Sequence, residues 1–150
     1  MPEIGRAPRD SRFVAYFKKD VLTPRVVKFG IVGASGVVVN MGGLYLLKEF
    51  ALIPYFVASV IAIELSILSN FTVNLLWTWR DRSKEGTLWT KIARYHIGAG
   101  VTAFLGNYLI LIALTELFGV HYMISNLIGI AVGTFSNYLI NDLWTFRKWQ

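Results

Sequence analysis

From Phe29 to Leu47 the chain carries no Asp, Glu, Lys, Arg or His, and the same holds from Ile97 to Thr115 and from Tyr122 to Asn141. A fourth stretch, Phe50 to Trp79, is broken by a single charge, Glu64. An uncharged apolar run of roughly 18 residues or more is long enough, at about 1.5 Å of rise per residue, to cross a hydrocarbon core of about 30 Å as a helix. In that solvent every backbone N–H and C=O must be paired within its own segment or within a closed barrel, and barrel strands would alternate polar and apolar residues. None of these runs alternates. The sequence therefore predicts an all-α polytopic membrane protein with four spans, near 29–48, 54–79, 95–116 and 122–145. A soluble bundle is the rival reading, but its helices would need a polar face, and none of the four has a continuous one. Composition agrees: 55% of the 150 residues are hydrophobic and 16% charged, against about 25% charged in an ordinary soluble domain.

The net charge of +6 suits either nucleic acid or an anionic membrane, and the distribution of the charges decides. Seven of the fifteen basic residues precede the first span, five (Arg80, Arg82, Lys84, Lys91, Arg94) lie between the second and third, and Arg147 and Lys148 follow the fourth. Only Lys48 falls on the other side. The positive-inside rule then puts both termini and the middle loop in the cytoplasm, and nucleic acid is not expected as a partner. Aromatic residues at the expected boundaries (Trp77, Trp79, Tyr95, Tyr122, Trp144 and Phe146) read as an interfacial belt. Residues 1–28 read as a cytoplasmic segment. Within it Phe13, Tyr16, Phe17 and Val21 recur at helical spacing, with Lys18 and Lys19 off that face, as in an amphipathic helix lying on an anionic leaflet. Pro24 would end that helix, and a cleavable signal peptide fits poorly because the apolar stretch starts late and runs long.

The chain repeats itself at an offset of 67 residues. Ser69-Asn70-Phe71-Thr72-Val73-Asn74-Leu75-Leu76-Trp77-Thr78-Trp79-Arg80 lies over Ser136-Asn137-Tyr138-Leu139-Ile140-Asn141-Asp142-Leu143-Trp144-Thr145-Phe146-Arg147. Asn40 lies over Asn107, Gly33 over Gly100 and Tyr55 over Tyr122; with a one-residue slip Phe29 meets Tyr95. The expected units, about 26–80 and 93–147, hold two spans each. The tandem repeats would therefore be parallel, related by an axis near the membrane normal, rather than inverted. Four helices leave little interior for a substrate path, so transport by such a chain calls for a homo-oligomer or a partner.

Chemistry is sparse. Zero cysteines exclude disulfide scaffolds, thiolate metal sites and cysteine nucleophiles. His96 and His121 fall on opposite sides of the expected topology, so no metal site is suggested, and there is no triad, paired-carboxylate site or nucleotide-binding loop. No cofactor and no enzymatic activity are expected. Asn70, Asn74 and Trp77 fall at i, i+4 and i+7 on one face of the second span, and Asn137, Asn141 and Trp144 repeat that face on the fourth. The bland reading is that these amides bond between helices and hold the bundle together. The functional reading gives the amides, above all Asn74 and Asn141 about a turn from the cytoplasmic boundary, to a phosphate or sugar hydroxyls, and gives Lys28, Arg80, Arg94 and Arg147 to a lipid phosphate. Arg80 and Arg147 serve equally well to stabilise the carbonyls that end their own helices. A carboxyl near mid-membrane is expensive to keep charged, so Glu64 is a candidate proton site, with interhelical hydrogen bonding as the plain alternative. Asp142 reads as the partner of a nearby base.

With four spans, the duplication and the N-x3-N-x2-W-T-aromatic-R endings in view, the chain resembles the GtrA-like family over about Val26 to Lys148. The most specific segments are Lys28-Phe29-Gly30-Ile31-Val32-Gly33, Asn70 to Arg80 and Asn137 to Arg147. The resemblance makes residues 29–148 a four-helix transmembrane domain of a type also found fused to dolichol-phosphate-mannose synthase-type glycosyltransferases. It implies a flippase that moves a polyprenyl-phosphate-linked sugar, such as undecaprenyl-phosphate-glucose, from the cytoplasmic to the outer leaflet of a bacterial inner membrane for surface polysaccharide modification. The alternative is a non-catalytic anchor or scaffold that recruits or orients a membrane glycosyltransferase.

Overall fold

The computed structural model of the chain describes residues 24–147; the N-terminal amphipathic stretch expected around Phe13–Val21, and Lys148, lie outside them. Four helices long and apolar enough to cross a membrane make up the described residues: α1 (Pro24–Phe50), α2 (Tyr55–Thr78), α3 (Leu88–Leu117) and α4 (Tyr122–Thr145). No strand occurs among the described residues. Two helices begin earlier than expected. Pro24 opens the first turn of α1, where its missing N–H costs nothing and its fixed φ suits the helix. The Thr87 hydroxyl accepts the Thr90 N–H at 3.4 Å and starts α3 seven residues before the expected edge at 95. The expected edges followed the last charge of each run, whereas the helices continue through Lys28, Lys91 and Arg94.

The 67-residue offset reappears in the backbone. The α-helical body of α2 is Tyr55–Val73 and that of α4 is Tyr122–Ile140. Both then widen into one π-type turn, Asn74–Thr78 and Asn141–Thr145. Each ends with an i→i−5 bond of 2.8 Å, from the Trp79 N–H to the Asn74 carbonyl and from the Phe146 N–H to the Asn141 carbonyl. The turns at the opposite end match as well. Leu52 (φ 54°) leads into α2 as Gly119 (φ 64°) leads into α4.

Helix α1 packs along α2, and α3 along α4, through small residues that bring backbones together. The Asn70 carboxamide lies directly on Gly36, whose carbonyl also accepts the Ser66 hydroxyl at 2.7 Å. A Cβ on Gly106 would stand 2.6 Å from Gly133 Cα, so α3 and α4 cross at the closest approach that glycine permits.

Six rings join the two hairpins at the basic end: Phe29, Phe71 and Trp79 from the first, Tyr95, Tyr138 and Phe146 from the second. Their contacts come in matched pairs. Phe29 meets Tyr138 edge-on at 5.7 Å, and Tyr95 meets Phe71 edge-on at 5.4 Å. Trp79 stacks on Tyr138 at 6.0 Å, and Phe146 on Phe71 at 6.0 Å. Trp79 and Phe146, matched to each other by the offset, stack face to face at 4.6 Å in the middle. Three rings expected in an interfacial belt, Trp79, Tyr95 and Phe146, are thus core residues. Trp77, Tyr122 and Trp144 are exposed as a belt requires.

Candidate functional site

A cavity of about 410 Å³ lies among the four helices, directly above the aromatic cluster. Its wall is polar for a membrane interior. Helix α2 supplies Asn70 and Asn74, α3 supplies Tyr95, Thr102 and Asn107, and α4 supplies Thr134 and Asn137. Helix α1 supplies Phe29, Gly30, Gly33, Ala34 and Val37. An uncompensated amide in hydrocarbon is costly, and only some of these amides are satisfied. Asn74 donates to the Tyr95 hydroxyl at 3.1 Å and accepts from the Thr78 hydroxyl at 2.7 Å. Asn137 receives Asn141 Nδ2 on both its backbone and its side-chain oxygen, each at 2.9 Å. The Oδ1 atoms of Asn70 and Asn107 are buried and meet no hydrogen-bond partner among the described residues.

The tryptophans face elsewhere. The widened turns that end α2 and α4 place more residues in each revolution than an α-helix does, and they carry Trp77 and Trp144 off the face that holds the asparagines. Trp77 instead lines an outer cleft with Arg25, Lys28, Thr78, Arg80 and Asp81, where the Lys28 ammonium sits 5.5 Å from the Trp77 ring centre. The matched arrangement holds in the second half: the Arg94 guanidinium lies 5.4 Å from the Trp144 ring centre and donates to the Trp144 carbonyl at 3.1 Å. Both are cation–π pairs, one in each half. Arg147 is exposed at the end of α4.

Most of the residues proposed from sequence therefore fall into three groups. Asn70, Asn74 and Asn137 come together in the central cavity. Lys28, Trp77 and Arg80 share one basic cleft, while Arg94 and Trp144 form the equivalent pair. Asn141 is fully buried, one turn below the cavity. Of the second asparagine pair, Asn107 reaches the cavity and Asn40 does not line it. Glu64 lies outside the cavity, half-exposed, with Oε1 2.9 Å from His96 Nε2 of α3.

Sequence reasoning missed Tyr95, Thr102 and Thr134 as cavity residues. Matching Tyr95 to Phe29 was the available signal, since it sets a hydroxyl against a plain ring at equivalent sites. It also missed the polar staple beneath the rings. Asp142 Oδ1 accepts Trp79 Nε1 at 2.8 Å and Arg82 at 2.7 Å, with Arg25 at 3.6 Å. Arg82 also donates to the Asp142 and Phe146 carbonyls that end α4, a placement that suits the negative end of a helix dipole. Lys91, buried, donates to the Arg82 and Ser83 carbonyls at 3.1 and 2.7 Å. The expected pairing of Asp142 with a base is thus observed, and with two bases.

The chain is 40% identical over 117 residues to a protein of Pyrococcus furiosus named dolichol-phosphate mannosyltransferase. The match takes in 78% of this chain and 32% of that relative, so the chain spans about a third of the relative's length. The four apolar helices suit the transmembrane-domain model that matches residues 28–146, and the chain belongs to the GtrA/DPMS transmembrane-domain family.

Proposed function

We propose that the protein is a translocase for a polyprenyl-phosphate-linked sugar, moving it from the cytoplasmic to the outer leaflet without covalent chemistry. The supporting observation is the juxtaposition of an asparagine-lined cavity at membrane depth with cation–tryptophan pairs confined to one end of the bundle. Lys28 and Arg80, and Arg94 and Arg147 in the second half, supply cations for the phosphate. Asn70, Asn107 and Asn137 offer amides to the sugar hydroxyls, replacing water at a depth where an unsatisfied hydroxyl is costly. Undecaprenyl-phosphate-glucose in a bacterial inner membrane fits this division, with both termini cytoplasmic, and the protein works as a homo-oligomer or with a membrane glycosyltransferase. Reconstitution of the purified protein into vesicles with a fluorescent prenyl-phosphate glucose tests the reading. Leaflet exchange faster than in protein-free vesicles is expected, and exchange equal to them would end it.

The second reading, a non-catalytic anchor for a glycosyltransferase, draws on the length relation with the relative named a mannosyltransferase, two-thirds of which lies outside the match. Under it, Asn70→Ala with Asn137→Ala would leave glycan modification in cells intact. Under the translocase reading the double variant abolishes modification while any complex with a glycosyltransferase still copurifies.

A further inference from the structure

The two hairpins meet along two seams, α1 with α4 and α2 with α3, and α1 and α3 make no close approach among the described residues. The seams would be alike if the halves were, and the difference between them is local. The ring contacts match Phe29 with Tyr95, so the next residues, Gly30 and His96, are equivalent. The 67-residue offset matches Glu64 with Ala131. In the α2–α3 seam these two positions hold a bonded pair, His96 Nε2 to Glu64 Oε1 at 2.9 Å. In the α1–α4 seam the same two positions are glycine and alanine, which can form no such bond. A Cβ built on Gly30 or Gly33 meets no atom within 4 Å, and both glycines line the cavity opposite Ile130 and Thr134 of α4.

We infer that the central cavity is a lateral lipid site: it takes the polar head of a single-tailed anionic amphiphile through the α1–α4 seam, which Gly30 and Gly33 hold open, while Glu64 and His96 latch the opposite seam. A lateral mouth lets a long apolar tail stay in hydrocarbon, where its hydrophobic stabilisation is kept, as the head exchanges lipid headgroup contacts for Asn70, Asn107 and Asn137. The identity of the head, a phosphate-linked sugar, rests on the translocase reading; the side of entry does not.

The chain has no cysteine, so single thiols can be placed without background. Gly33→Cys, on the cavity wall, tests the open seam, and Gly100→Cys, exposed on α3 outside the cavity lining and also free of neighbours within 4 Å, is the control away from it. The reconstituted variants are labelled with a membrane-permeant maleimide, with and without citronellyl-phosphoryl-glucose, and with glucose 1-phosphate as the tail-less counterpart. The expected result is a several-fold slower labelling at position 33 with the tailed probe alone, and no change at position 100. Protection at neither position or at both, or equal protection by glucose 1-phosphate, overturns the lateral site. Protection at position 33 in a protein that does not accelerate leaflet exchange keeps the site and removes the translocase reading.

Discussion

The Tyr95 hydroxyl accepts the Asn74 amide at 3.1 Å across the hairpin interface, and the ring matched to Tyr95 in the first half, Phe29, has no hydroxyl to offer Asn141. Asn141 turns back on Asn137 instead, and both its own Oδ1 and the Thr145 hydroxyl are left without partners among the described residues. One oxygen atom thus breaks the equivalence of the two asparagine faces. Tyr95→Phe should make the first half resemble the second, at a cost of about 1 kcal/mol for one buried hydrogen bond. Thermal unfolding in detergent is expected to show this as a modest drop in midpoint, with leaflet exchange retained because Asn70, Asn107 and Asn137 are untouched.

The staple below the rings is less forgiving. Asp142 Oδ1 holds Trp79, Arg82 and Arg25 in a site where the Asp142 and Arg82 side chains are 2% and 9% exposed. Removing one partner of a buried pair leaves the other charge uncompensated and costs about 3–5 kcal/mol. Asp142→Leu, which copies Leu75 at the matched position, should therefore aggregate on heating far below the parent protein. Adding Arg82→Met should recover most of the loss, because an apolar replacement of both partners is close to neutral. A double variant no more stable than the single one would mean that Arg25, rather than Arg82, is the partner that matters.

Lys28 and Arg94 stand over equivalent tryptophans but are not equivalently bound. Lys28 has the Trp77 ring beside it in an open cleft, whereas Arg94 also donates to the Trp144 carbonyl. Lys28→Gln should raise the substrate concentration for half-maximal exchange several-fold and leave the unfolding midpoint in place, since an exposed cation–π pair contributes only about 0.5–1 kcal/mol. Arg94→Gln should affect both. Substrate titrations alongside melts of the two variants make the comparison.

Much of this architecture was legible in the sequence because membrane solvation leaves so few choices. The four helices follow from the uncharged runs, and the equivalence of α2 and α4 from the Asn70–Arg80 and Asn137–Arg147 match. Facing was harder. A strict 3.6-residue period puts Trp77 with Asn70 and Asn74, but the widened turn Asn74–Thr78 sends Asn74 into the cavity and Trp77 to the outer cleft. The same turn buries Trp79, which composition alone assigns to the interface. Arg82, Lys91 and Asp142 were invisible as a group, because they meet only once the middle loop folds back under α4.

Leu52 adopts φ 54° at the turn into α2, a conformation that costs an L side chain about 1–2 kcal/mol. The second half places Gly119 at the matched position with φ 64° and pays no such penalty. The Leu52 side chain is 81% exposed in the structure, so little packing opposes its removal. Leu52→Gly should raise the unfolding midpoint, by an amount that its greater unfolded-state entropy partly offsets. A lower midpoint would show that Leu52 anchors the turn through apolar contact with its surroundings.

Both ring nitrogens of His96 face acceptors: Nδ1 the Ile92 carbonyl and Nε2 the Glu64 carboxyl, each at 2.9 Å. The bond joins α2 to α3 where the α1–α4 seam has only Gly30 and Ala131. Ala99 of α3 lines the cavity close by, and maleimide labelling of Ala99→Cys, scaled to a fully accessible thiol, reports how readily that side is reached. Glu64→Gln keeps a hydrogen-bonding group opposite His96, so its scaled labelling should match that of the parent protein. Glu64→Ala removes the bond and should label several-fold faster. Labelling of Glu64→Ala that equals the parent's would instead mean that packing, and not this pair, holds the seam.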